Sequence, residues 1–128
     1  MSRGLADTSF FVAREAERPL DLPTIPDELA VSAITIGELR AGVLAAADVG
    51  VRDQRLSTLI EVLRLAPLPV DEAVADAWAR LRVALRDAGR RMDVNDSWIA
   101  ATAIAHGIPV VTQDDGFVEI AGLSLIRV

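Results

Sequence analysis

Short apolar runs alternate along this chain with longer amphipathic stretches. Gly4-Leu5-Ala6 leads into Asp7-Thr8-Ser9 and then Phe10-Phe11-Val12-Ala13, the pattern of a short strand, a turn of cap-type residues and a helix start. Asp7 therefore falls at the carboxyl end of a strand. Residues 17–28 hold three prolines, which predicts an irregular connection. Leu29-Ala30-Val31-Ser32 reads as the second strand. Ala33 to Ala47 reads as a helix, with Ile36, Leu39, Val43 and Leu44 at helical period. Thr35 is its candidate cap, and Glu38 stands three residues on, a capping-box spacing. Val51 to Leu65 predicts another amphipathic helix, striped by Leu56, Leu59, Ile60 and Leu63. Pro67 and Pro69 confine the next segment to a short extended link.

Asp71 is placed to cap a helix running from Glu72 to about Ala88, with Val74, Trp78, Leu81 and Leu85 as its stripe and Gly89 as its stop. Trp78 is read as core in preference to a stacking platform. Asn95 to Ala105 is a helix of small apolar residues. Asn95 or Asp96 is its candidate cap, and His106-Gly107 ends it. No catalytic role is read for His106. Ile108 to Thr112 has little polarity and reads as a buried parallel strand. Gln113-Asp114-Asp115-Gly116 is a turn at its carboxyl end. Phe117 to Ile120 is expected to make one helical turn, and Leu123 to Val128 a last strand. This alternation predicts an α/β fold: a three-layer α/β/α domain with a mainly parallel central sheet, residues 1–128 forming a single domain. Right-handed crossovers set the strand carboxyl ends along one edge, where ligands bind.

Composition narrows the picture. The chain is 52% hydrophobic and 25% charged, which provides for a sizeable core. No apolar run reaches the roughly 18–20 residues of a membrane span, and the N-terminus lacks a signal-peptide pattern. A cytoplasmic protein without membrane association is expected. There is no cysteine and one histidine, so a thiolate or His-rich zinc site is excluded. The net charge of −6 speaks against nucleic acid as a partner, because phosphate binding needs positive surface. Two features soften that. All 13 basic residues are Arg, the side chain suited to bidentate phosphate contact, although genomic composition bias gives the same usage. Some acids also cluster in a way that a cation would neutralise. Arg86, Arg90 and Arg91 crowd one helix end; helix-dipole duty and RNA contact explain them equally well, and Arg14 is a further candidate for the latter.

Asp7 and Asp114 end strands, while Glu38 and Asp96 stand in the first turns of helices that follow connections on the same edge. Each has an ordinary reading: a cap for Asp96, a capping box for Glu38. Gathered together, four carboxylates could not all stay ionised without a counter-charge. A hard divalent cation such as Mg2+, with Mn2+ as substitute, answers this. Such a pocket without a nucleophilic Ser, Cys or His points to metal-assisted attack of water in phosphoryl transfer.

Four stretches then bear on family. They are Leu5 to Phe11, Val31 to Gly42 (with Thr35-Ile36-Gly37-Glu38), Asn95 to Ala103 (Asn-Asp-Ser-Trp-Ile-Ala-Ala-Thr-Ala) and Pro109 to Asp114. In order and approximate spacing they resemble the four motifs of PIN-domain nucleases, especially the VapC toxins of type II toxin–antitoxin modules, with actinobacterial members most similar. The likeness covers nearly the whole chain. It implies a Mg2+-dependent endoribonuclease toxin that cuts structured RNA such as tRNA or rRNA, forms a homodimer and is held inactive by a VapB-like antitoxin. It implies Asp7 and Asp96 as principal metal ligands, with Glu38 and Asp114 completing the acidic quartet and positioning the attacking water. Thr8, Ser9 and Thr112 would orient the carboxylates. The family often carries an acid directly before the Phe of the last motif. Gly116 stands there, which leaves Asp115 as a rival to Asp114. Asp93 is expected to face solvent. The alternative is a PIN-like binding module with weak catalysis that acts through its antitoxin complex.

Overall fold

A computed structural model describes residues 2–128. In chain order the elements are β1 (Arg3–Ala6), α1 (Thr8–Glu15), a 3-10 turn (Leu22–Thr24), β2 (Glu28–Ala30), α2 (Ala33–Ala45), α3 (Val49–Leu63), α4 (Glu72–Asp87), α5 (Val94–Ala105), β3 (Val110–Thr112) and β4 (Leu125–Arg127). The strands form one parallel sheet in the order β2-β1-β3-β4. Successive strand residues point to opposite faces, and this alternation builds two cores. Leu5 and Val110 pack with Leu81 and Leu85 of α4 and Ile99, Ala100 and Ala103 of α5. Ala6 and Val111 pack with Phe10 and Phe11 of α1, Leu39 and Val43 of α2, and Leu59 and Val62 of α3. The three layers follow. Among the described residues no helix is long and apolar enough to cross a membrane.

The register decides where the chemistry goes. Leu5 stands opposite Val110 and Ala6 opposite Val111, so β1 and β3 end level and Asp7 emerges beside Thr112. Gly4 permits this close pairing. A Cβ there would lie 2.6 Å from Val111 Cγ2 and 3.0 Å from the Pro26 ring. Gly4→Ala should therefore cost about 1–3 kcal/mol through overpacking, read as a lower urea midpoint at unchanged slope; an unchanged midpoint would show that the strands part without penalty.

Several local expectations are corrected. Ser32, not Thr35, caps α2, its Oγ accepting from Ile34 N at 3.0 Å. Thr35 is buried inside the helix. Asp93, not Asn95 or Asp96, occupies the N-cap position of α5, without a side-chain capping bond. On α3, Leu59 and Val62 are buried, but Leu56, Ile60 and Leu63 are exposed. That helix packs chiefly against α2 and α1, so a narrow strip of it is covered. Leu44 of the α2 stripe is exposed as well. The strands are shorter than their apolar runs. Residues 117–120 form no helical turn; Phe117 instead plugs the core beside Ile99 and Val110. On α4 Asp71 caps as expected, but Trp78 is only half-buried while Ala77 joins the core.

Candidate active site

Asp7 is the anchor of the site. It caps α1, with Oδ1 accepting from Phe10 N at 3.0 Å, and it is 2% exposed. Thr112 Oγ1 donates to its Oδ2 at 2.6 Å, and Ser9 Oγ donates to Oδ1 at 2.8 Å. Burial pushes the Asp7 carboxyl above the ordinary range. The bonds from Thr112, Ser9 and Phe10 N oppose that push, and the charge of Asp114 adds to it. The same two hydroxyls hold the β3 turn: Thr112 Oγ1 accepts from Asp114 N at 2.9 Å and Ser9 Oγ from Gln113 N at 3.0 Å. Carboxylate and turn are thus tied through shared hydroxyl groups.

Glu38, one turn into α2, does not reach back to its helix start as a capping box would. Thr8 Oγ1 donates to its Oε1 at 2.6 Å, and Asn95 Nδ2 donates to its Oε2 at 3.3 Å. Thr8 also touches Thr35 Oγ1 at 3.1 Å. Asp96 sits in the first turn of α5. Its carboxyl is pushed up to about 7, by burial first and then by the charges of Asp114, Asp93, Asp7 and Glu38. Asp114 folds into a tight turn, Oδ1 accepting from Gly116 N at 3.0 Å. A Cβ on Gly116 would stand 3.1 Å from Asp96 Oδ2 and 3.2 Å from Asp114 Oδ2. The two carboxylates therefore converge on one point of backbone. Asp115 turns outward, its side chain fully exposed and 3.6 Å from Arg127 Nη1. Asp93 is exposed, yet it still bears on Asp96 by charge.

This donor set is hard oxygen throughout. His106 caps the opposite end of α5. Among the described residues no three acidic or His side chains are drawn into a ready-made cage, because Asp7 and Glu38 are each held by their own hydroxyl donors. That arrangement fits Mg2+, which takes one or two carboxylates and keeps several waters. It does not fit zinc, which wants a closed set of N or S ligands. Mutual repulsion, most evident at Asp96, is the feature a divalent charge relieves.

Residues 5–123 match the PIN domain. The chain is 48% identical to ribonuclease VapC5 of Mycobacterium tuberculosis, over 98% of this chain and 93% of that protein. It belongs to the VapC family of PIN-domain proteins. Ribonuclease VapC4 of the same organism is 47% identical to this VapC-family chain, over 98% and 97% of the two. The solved structure of VapBC-5 from M. tuberculosis, a member of the VapBC family of toxin–antitoxin systems, matches it with a TM-score of 0.91 at 46% identity, over 100% of both chains.

Three residues of this VapC-family site escape a reading of the chain in order. Asn95 looks like a cap but holds Glu38. Thr35 looks like a cap but backs Thr8. Gly116 looks like a turn residue but leaves room for two carboxylates. The polar side chain of Thr35 at a buried position was the one available signal, since buried hydroxyls need partners. Of the arginines, Arg14 is engaged elsewhere, 3.1 Å from Glu61 and above Phe10 and Phe11. Arg86, Arg90 and Arg91 gather with Arg82 around one cleft.

Proposed function

We propose that this chain is the toxin of a VapBC-type module, a Mg2+-dependent endoribonuclease that cleaves structured RNA of the tRNA or rRNA kind. The observation that carries the reading is the convergence of Asp96 and Asp114 beside buried Asp7, with the Asp96 carboxyl pushed up to about 7 by burial and neighbouring acids. Such a site is under electrostatic stress until a cation enters. Relatives named ribonucleases at nearly half identity support the activity, and a toxin–antitoxin structure of the same fold supports a VapB-like antitoxin as partner. A homodimer working in the cytoplasm completes the proposal.

In this reading Asp7 and Asp96 hold the cation. Mn2+ serves as a substitute. Bound there, the cation supplies Lewis acidity and counter-charge for attack of water on the phosphodiester. Glu38 and Asp114 would help position the attacking water. Thr8, Ser9 and Thr112 keep the carboxylates aimed, as partners of ligating acids do. Arg86, Arg90 and Arg91 contact the RNA.

Purified protein incubated with cellular RNA should cut it with Mg2+ and stop in excess EDTA. Cleavage that survives EDTA defeats the metal requirement. Absence of cleavage under Mg2+ favours a binding module that acts through its antitoxin. Mg2+ should also raise the melting temperature, since a ligand of the folded state alone stabilises by about 2.7 kcal/mol at one hundred times its Kd. A melting temperature blind to Mg2+ counts against a cation site.

A further inference from the structure

The chain has 19 acids against 13 arginines, and among the described residues five of those arginines form an ion pair. Arg3, Arg14, Arg80, Arg86 and Arg127 each pair with a carboxylate. Around the C-terminal end of α4 four arginines gather at one place. Arg82, Arg86, Arg90 and Arg91, with Leu85 and Met92, line a cleft of about 270 Å3. Among the described residues Arg82, Arg90 and Arg91 make no ion pair; of the acids near them in sequence, Asp87 is taken by Arg86 at 3.2 Å and Asp93 pairs with none of them. Four arginines lining one cleft, three of them without a carboxylate partner, make a positive patch suited to an anion.

One of the four is fixed in advance. The Arg82 guanidinium lies 5.0 Å from the centre of the Trp78 ring. Trp78 in turn stacks on Trp98, centroids 4.3 Å apart and planes 3° from parallel, and its Nε1 donates to Ser97 Oγ at 3.0 Å. The Trp78 ring is thereby committed to protein partners, and its contribution is to hold the cation at the cleft. Both tryptophan contacts reach α5, the helix that carries Asp96. Arg91 precedes Asp96 by five residues, a distance of no more than about 18 Å even fully extended. At roughly 3.4 Å of rise per nucleotide this is about five nucleotides of one strand.

We propose that this arginine cleft is a phosphate-binding subsite for the RNA strand, set a few nucleotides from the acids and pre-shaped by the Trp98–Trp78–Arg82 stack. The inference rests on the ribonuclease reading and adds how an acidic protein grips a polyanion: the strand is held at arginines, two of which, Arg90 and Arg91, precede Asp96 by a few residues in the chain. Planar forked guanidinium groups suit phosphate oxygens bidentately. An acidic protein segment is the other polyanion of matching charge. RNA is favoured because Met92, which lines the cleft, stands two residues before α5 and four before Asp96 in the chain.

The test separates grip from cutting. Binding of a 5′-labelled structured RNA to the full-length protein is measured in EDTA at several salt concentrations, for wild type, for the double variant Arg82→Gln with Arg90→Gln, and for Arg64→Gln as a control on an exposed arginine of another helix end. The double variant should bind about tenfold or more weakly, and its slope of log K against log salt should be shallower by about 1.4–1.8. The control should match wild type. Trp78→Phe keeps a ring but loses the indole N–H and weakens the cation contact; it should lie between them in affinity, with near-UV circular dichroism reporting the lost tryptophan pair. Unchanged affinity and slope in the double variant overturn the subsite while leaving Mg2+-dependent cleavage untouched. So does a double variant that keeps RNA affinity but fails to bind its antitoxin, which assigns the cleft to an acidic protein segment. A wild type that neither binds nor cuts RNA overturns the ribonuclease reading and the subsite with it.

Discussion

Asp96→Asn should abolish RNA cleavage and at the same time make the metal-free protein more stable at neutral pH. The two effects have opposite signs, which separates lost chemistry from lost folding. Cleavage should fall by roughly 10³-fold, the order expected when one charged ligand of a Lewis-acid site is removed. The stability gain follows from linkage. The Asp96 carboxyl is pushed up to about 7 in the folded chain, from 3.8 as its ordinary value, by burial and then by Asp114, Asp93, Asp7 and Glu38. Between those values the folded state holds a proton that the unfolded state has released, so stability falls as pH rises through that window. Above about 7 the penalty is complete. Asn carries no such charge, and the variant should gain about 1–2 kcal/mol at pH 8 once solvent screening of a half-buried group is allowed for. That corresponds to a Tm higher by roughly 3–8 °C. Melting scans in EDTA from pH 4 to 8 check this: the wild type should lose stability across the range and the variant should be flatter. A variant with wild-type cleavage rate removes Asp96 from the site. Parallel pH profiles would mean that the acids do not strain the fold.

Thr112→Val should damage both stability and catalysis through a single hydroxyl. That Oγ1 donates to Asp7 Oδ2 at 2.6 Å and accepts from Asp114 N at 2.9 Å, at a fully buried position. Valine keeps the shape and removes both bonds. The buried Asp7 carboxylate loses a donor and the Asp114 amide loses its acceptor, a cost of about 1–3 kcal/mol. Mg2+-dependent cleavage should drop by about 10–100-fold, the usual effect of losing a partner that aims a ligating carboxylate. The direction with pH follows from the same bond. Thr112 holds the Asp7 carboxyl down against the upward push of burial, so its loss moves that group further up. Asp7 must be ionised to hold a cation, and the acidic limb of the activity profile should shift to higher pH. The folded state then keeps its proton more firmly than the unfolded one, so the destabilisation should be greater at pH 7 than at pH 4. Thr112→Ser, which restores the hydroxyl, should recover most of both losses. A valine variant with an unshifted acidic limb would reduce Thr112 to packing.

Much of the site was legible because strand ends announce themselves. Asp7 follows an apolar run and precedes cap-type residues; Asp114 follows another such run. Their place at the carboxyl edge needs only parallel strands and right-handed crossovers. Thr35 and Glu38 have capping-box spacing, yet Ser32 caps the helix and Glu38 turns to Thr8 and Asn95. A helix start offers several side chains able to cap, and local spacing does not say which of them a neighbouring element will claim. The α3 stripe fails for a related reason. Period marks which residues share a face, but how wide a face is covered depends on what lies beneath it.

The sequence by itself determined the layering, the two-faced burial of β1 and β3, and the gathering of Asp7, Glu38, Asp96 and Asp114 on one edge, since each follows from period, chain reversals and handedness. Tertiary structure alone decided which groups hold those acids. Thr112 and Asp7 are 105 positions apart, Asn95 and Glu38 57, and Thr8 and Glu38 30. Such pairs are set by the register of β1 on β3 and by the close approach of helices to the sheet. It also decided that Asp114 and not Asp115 meets Asp96: the turn closed by Gly116 N on Asp114 sends one carboxylate inward and its neighbour out to Arg127. Two adjacent aspartates are alike in sequence, and only the path of the backbone between them tells one from the other.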